Sequence, residues 1–196
     1  MLEKTPFRLT DKLIPGHFGH VAIWSGSKAQ LEALDMWQRP EVQRHAEKIS
    51  NPENDNSTSE KQVLEALRNG VQLNSLVHFL NVDDVVVLRP RFSGSTADRD
   101  RQQAISLAFR QLGKAYDFNF DVNTTDKIVC SELAYVSYPT LPWPTERTLG
   151  RHSISPDNVA QLAAPNGPLE LVVFYHDGQL LEGEEARNTF DALLAQ

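Results

Sequence analysis

Hydrophobic and polar residues follow two periods along this chain. Short apolar runs bounded by turn formers predict strands at Val21-Ala22-Ile23-Trp24, closed by Ser25-Gly26-Ser27, and at Gln62-Val63-Leu64-Glu65-Ala66-Leu67, followed by the turn signal Asn69-Gly70. The clearest strand lies within 83–90, at Val85-Val86-Val87-Leu88. Another spans 169–175 before the turn His176-Asp177-Gly178. Helical spacing appears over 28–49, interrupted by Pro40, and over 97–112, where Gly113 provides a stop. Leu73 to Leu80 reads as a short amphipathic helix, and Ser131 to Tyr138 as a helix ended by Pro139. Ser155-Pro156-Asp157 opens another, with Ser155 as N-cap and proline in the first turn. The tail from Glu182 forms a polar helix, and the stretch 50–59 is an exposed loop of turn formers. Strands and helices mix without βαβ regularity, which predicts an α+β fold on a mainly antiparallel sheet.

At 196 residues, 40% of them hydrophobic, the chain suits one core of ordinary size. No run approaches the ~20 apolar residues of a membrane span, so no transmembrane segment is expected. The first residues lack a basic stretch followed by an apolar one. The expected location is therefore cytoplasmic, or periplasmic or secreted if the N-terminus is processed. A net charge of −7 without a basic stripe excludes an ordinary nucleic-acid binder.

A single cysteine rules out an internal disulfide and a multi-thiolate zinc site. Cys130 is then either a buried small hydrophobe or a reactive thiol. It follows the turn-rich 123–126 and precedes the apolar-periodic Leu133, Ala134 and Val136, which sets it at a helix N-terminus. Unpaired N–H groups there favour thiolate, the nucleophilic form, and can hold an oxyanion.

Among six histidines, His20 opens the first strand, where a rigid edge can aim a general base. The alternative is a structural histidine. Glu65 sits amid apolar residues, so it either orients an imidazole or faces water from an edge strand. His17 and His20 with Cys130 or Glu65 match no strong zinc spacing, and two side chains three apart on a strand diverge. No metal and no cofactor are assigned. His45, His78, His152 and His176 read as surface or loop residues.

Five segments occur in a telling order: Gly-His-Val-Ala-Ile at 19–23, Val-Leu-Glu-Ala with Gly-Val at 63–71, Val-Leu-Arg-Pro at 87–90, Gly-Lys-Ala-Tyr-Asp-Phe at 113–118 and Ile-Val-Cys-Ser-Glu-Leu at 128–133. That order, with the histidine strand before the cysteine helix, resembles the circularly permuted papain-like hydrolases of the NlpC superfamily, the YiiX/YaeF/YebB-like group. The likeness runs from about residue 14 to 160, and Ile154-Ser155-Pro156-Asp157 resembles a segment that recurs after the cysteine helix.

The resemblance implies a single hydrolase domain over 1–196, its sheet packed against the cysteine-bearing helix. It implies Cys130 as nucleophile, His20 as base and Glu65 as the residue orienting that base. Tyr116 matches a tyrosine whose hydroxyl lies near the oxyanion site, and Asp117 is structural. The stretch 26–60 is longer than the usual turn, an insertion that could act as a lid or substrate selector, and it leaves Glu32 as a rival third residue. The implied activity is an amidase or peptidase on a peptide or a cell-wall (peptidoglycan-derived) fragment. The alternatives are a thioesterase or acyltransferase on an acyl-lipid, and a non-catalytic binding module.

Overall fold

A computed structural model describes residues 1–5, 16–50, 60–118, 126–148 and 151–195. In chain order the elements are β1 (Leu2–Lys4), β2 (His20–Trp24), α1 (Lys28–Ala33), α2 (Pro40–Gln43), α3 (Ala46–Ser50), β3 (Lys61–Leu67), β4 (Gly70–Ser75), α4 (Leu76–Phe79) and β5 (Asp84–Pro90). They continue with α5 (Ala97–Phe109), β6 (Ala115–Tyr116), β7 (Lys127–Ile128), α6 (Cys130–Ser137), β8 (Glu146–Thr148), β9 (Arg151–Ser153), α7 (Pro156–Gln161), β10 (Leu169–His176), β11 (Gln179–Leu181) and α8 (Gly183–Leu194).

Seven strands form one sheet in the order β11-β10-β5-β1-β2-β3-β4, each antiparallel to its neighbour. Strand alternation sorts its residues into two cores. Leu2, Val21, Ile23, Leu64, Ala66 and Val86 face the main core, which also holds Leu133 and Ala134 of α6. Ala22, Val63 and Val85 face the other way, against Phe79 of α4. Helix α6 packs along β2, and α5 packs on α6. The observed class is the expected α+β one, with a mainly antiparallel sheet.

Two expectations are corrected. Leu73 to Ser75 is strand, not helix: Leu73 pairs with Leu64, and only one turn, α4, follows, capped by the Ser75 hydroxyl on the His78 N–H. Hydrogen bonding to β3 outweighs the weak helical pattern there. The sequence reading also missed β1. Three residues give no periodicity, yet Leu2 pairs with both Val21 and Val86 and joins the two halves of the sheet. Pro40 interrupts the helical stretch by starting a helix, as the first residue of α2. The exposed-loop expectation at 51–59 lies outside the described residues.

The described part of 26–60, the expected insertion, folds onto the body. Leu31, Met36, Val42 and Ile49 are almost fully buried and Trp37 nearly so, all in the main core. Each such side chain contributes roughly 1.5–3 kcal/mol of burial free energy. Gln102 of α5 donates to the Leu34 carbonyl, and Ser106 bonds Glu41, fastening the insertion to α5.

The β3–β4 hairpin is fixed from outside at its turn. Val71 N–H donates to the Lys114 carbonyl at 2.9 Å, and Gly113 N–H to the Val71 carbonyl at 2.9 Å. Gly70 has φ +102°, and a β-carbon there collides with the Lys114 carbonyl oxygen. Gly70→Ala combines left-handed strain with that clash. We expect a loss of about 2 kcal/mol or more, read as a lower urea midpoint with unchanged slope.

Candidate active site

His20 opens β2 and Glu65 lies on β3, where Ala22 pairs directly with Glu65. Antiparallel pairing therefore sets the carboxylate one diagonal step from the imidazole. The two meet through His20 Nε2 and Glu65 Oε2 at 2.9 Å, with both side chains buried. The other carboxylate oxygen, Oε1, accepts a hydrogen bond from Asn74 Nδ2 at 2.9 Å. Asn74 stands on β4, opposite Val63, so three adjacent strands supply one residue each. Asn74 escaped the sequence reading. Its one signal is the alternation of Val71, Gln72, Leu73 and Asn74, a strand period that the helical reading of Leu73 to Leu80 overlooked.

With Nε2 committed to Glu65, Nδ1 of His20 is the nitrogen left to act toward Cys130, whose charge and hydrogen-bonding capacity raise the imidazole pKa. Cys130 is the first residue of α6 and is buried, 3% exposed. Val129, the N-cap, has extended backbone, and its N–H is taken by the Glu132 carboxylate at 2.9 Å. That is the reciprocal half of a capping box, with the usual Ser or Thr hydroxyl replaced by valine. The next N–H groups, from Cys130 onward in the first turn, have no helical acceptor.

Two side-chain contacts bolt the cysteine helix and the histidine strand to the start of α7. Ser131 Oγ donates to the Ile154 carbonyl at 2.5 Å. Asp157 accepts the His17 and Phe18 N–H groups at 2.8 and 2.9 Å. Ser155 caps α7 as expected, accepting from Asn158 N–H at 3.1 Å. The segment Ile154–Asp157 thus ties the start of α6 to the approach to β2.

Tyr116 lies on β6, beside Ile128 of β7 in a parallel pair, two residues before Cys130. Burial, then negative charge at Cys130, Glu132 and Asp117, holds its phenol well above the ordinary range, so it stays a hydrogen-bond donor. Asp117 is fully buried, and its N–H donates to the Ile128 carbonyl at 3.3 Å. Glu32 lies on exposed α1, 3.8 Å from Lys28, and is not part of this cluster. His45 and His152 also lie elsewhere, while His78, exposed on α4, is near enough for its charge to act on Glu65. His176, read as a surface or loop residue, instead ends β10 and is partly buried beside Asp84.

Electrostatically, burial alone would lower the His20 pKa. Negative charge and hydrogen bonding from Cys130 and Glu65 overcome it and raise the imidazole from 6.5 to about 10. Burial alone would raise the Glu65 carboxyl, but the hydrogen bond and charge of His20, with Asn74, hold it below its ordinary value. The His20 imidazole is thereby held toward its charged form between Glu65 and Cys130.

A family model described as the permuted papain-like amidase enzyme, YaeF/YiiX, C92 family, matches residues 1–188 of the chain. No curated protein and no solved structure matches it.

The raised His20 pKa can be read directly. A histidine raised in the fold stabilises it fully below about 6.5 and loses that contribution as pH rises through about 10. We expect the His20 carbon resonances of labelled protein to titrate near pH 10, and the midpoint to fall by at least about one unit in Cys130→Ala. An unchanged midpoint in that variant would show that the thiol does not charge the imidazole.

Proposed function

The chain belongs to the permuted papain-like amidases of the YaeF/YiiX, C92 family, and we propose that it is a cysteine amidase with Cys130 as nucleophile, His20 as acid and base, and Glu65 as the residue that orients His20. The observation that carries this reading is the hydrogen-bonded series Asn74–Glu65–His20, with the thiol of Cys130 at the start of α6 acting on the same imidazole.

In the proposed cycle the Cys130 thiolate attacks the acyl carbon of an amide, and the carbonyl π electrons move onto oxygen. First-turn N–H groups of α6, with the Tyr116 hydroxyl, hold that oxyanion; preorganised donors of this kind are often the largest catalytic contribution. The tetrahedral species collapses, the C–N bond breaks, and the His20 imidazolium gives its proton to the leaving amine. His20, now neutral, takes a proton from water, and the hydroxyl adds to the thioester. Collapse releases the carboxylic acid and returns the thiolate beside the imidazolium. Glu65 keeps the Nε2 proton in place throughout, and Asn74 holds Glu65.

A peptide or cell-wall-derived amide is the favoured substrate. The apolar residues of the insertion that would have marked a lipid face, Leu31 and Trp37, are buried in the core. One observation favours the second reading, an acyl-chain thioesterase or acyltransferase. Val77 on α4, whose Phe79 ring lies 6.4 Å from that of His20, and Leu80, its C-cap, are exposed at 70% and 46%. Phe118, 64% exposed, lies 5.0 Å ring to ring from Tyr116. These three offer an apolar rim to an acyl group.

Turnover of paired substrates, an acyl amide and the thioester of the same acyl group, separates the readings. Amide hydrolysis that Cys130→Ala and His20→Ala both abolish supports the amidase. Thioester turnover alone supports the second reading, and full activity in Cys130→Ala would reject both. On whichever substrate is cleaved, Asn74→Ala leaves the buried Glu65 Oε1 without its donor. We expect kcat to fall about tenfold with KM little changed, the 1–3 kcal/mol cost of an unmet buried acceptor.

A further inference from the structure

A second polar cluster lies at the same end of the sheet, across β1 from the His20 site. His17 precedes β2, Asp84 opens β5 and His176 ends β10. Asp84 is buried; its Oδ2 lies 2.7 Å from His17 Nε2 and 3.1 Å from His176 Nδ1. All three atoms fall within 4.8 Å of one another. Asp84 Oδ1 accepts the Asp177 N–H at 3.1 Å, which fixes the rotation of the carboxylate. His176 Nδ1 is shielded from water and, though close to Asp84, has no aligned hydrogen-bond partner. A buried ring nitrogen without a partner, facing a carboxylate and a second imidazole, is the donor set of a transition-metal site.

We propose that His17 Nε2, Asp84 Oδ2 and His176 Nδ1 bind one divalent ion of the zinc type, with a fourth position open to water. Ligand atoms around tetrahedral zinc stand about 3.3 Å apart, given bonds of about 2.0–2.1 Å. To reach that value the His17–Asp84 edge lengthens by about 0.6 Å and the His176–Asp84 edge by about 0.2 Å, while the two imidazole nitrogens, now within 4.8 Å, draw to the same spacing. The charge around the cluster suits a cation: Asp177 lies 3.8 Å from His176 Nε2, Asp157 holds the His17 N–H, and Asp83 adjoins Asp84. Lys4 opposes it. Its ammonium lies 3.2 Å from His17 Nδ1, and donation there keeps the imidazole proton on Nε2, facing Asp84. Metal binding at Nε2 moves that proton to Nδ1, so the Lys4 side chain turns away and its charge limits affinity.

The ion would join the ends of β5 and β10 to the segment that leads into β2, three residues before His20. It is a site apart from the thiol chemistry, and it stands whether or not the amidase reading does. Because Cys130, His20 and Glu65 could themselves capture zinc, the test uses the full chain carrying Cys130→Ala. Calorimetric titration with zinc chloride is expected to show one ion per chain, and cobalt substitution to give the visible bands of a four-coordinate nitrogen–oxygen site. Adding His176→Gln, at a partly exposed position where folding is preserved and checked by circular dichroism, is expected to weaken binding at least about tenfold. Lys4→Gln is expected to tighten it. Loss of binding in Cys130→Ala, or unchanged affinity after His176→Gln, would overturn the site. Weaker binding in Lys4→Gln would overturn the Nε2 assignment.

Discussion

The buried imidazole of His20 is the constraint on which the rest of the site depends. An imidazole enclosed among apolar groups tolerates a proton only where both nitrogens have partners and its charge is matched. The register of β2 on β3 supplies the first partner. Because side chains alternate along a strand, a slip by one residue would turn Glu65 to the other face. What forbids the slip is hydrophobic: Val21 and Ile23 must face the main core with Leu64 and Ala66, while Ala22 and Val63 face Phe79. The apolar pattern thus enforces a polar contact in which it takes no direct part.

The second partner comes from the helix packed along that same strand. Ala134 and Leu133 fix α6 over β2, and its first residue then falls where His20 can reach it. Glu132 occupies the Val129 N–H and leaves the later first-turn donors without a helical acceptor. Burial, then the negative charge at Cys130, Glu132 and Asp117, keeps the Tyr116 phenol protonated as a donor. Each charge in the cluster is acceptable only because of the others, so its members act as a unit.

Much of this was legible along the chain because it rests on local signals. A valine run gives β5, a proline after a serine cap gives α7, and a turn-rich approach to an apolar period gives the start of α6 at Cys130. Asp177 and Gly178, with φ of 49° and 74°, form the tight hairpin that the Asp-Gly pair announces. What stayed hidden is defined by distant partners. Leu2–Lys4 is too short for any period and becomes a central strand only between β2 and β5. Asn74 gains meaning from Glu65, nine residues away on another strand. His176 looks like a turn residue until Asp84, far earlier in the chain, lies beside it. No spacing rule encodes such meetings, since they follow from strand order.

That strand order also explains why His17 and His20, three residues apart, serve different neighbours. The segment between them is pinned from two sides: Asp157 takes the His17 and Phe18 N–H groups, and Gly19 N–H donates to the Glu3 carbonyl at 3.0 Å. Beyond this anchor His20 enters β2 and turns toward β3 and α6. Before it, His17 lies on the side of β1 and reaches Asp84 of β5. A chelate that used both histidines would have to undo the anchor, and with it the contact of His20 with Glu65. The divergence that local geometry gives to the pair is therefore what lets one strand end carry two polar clusters.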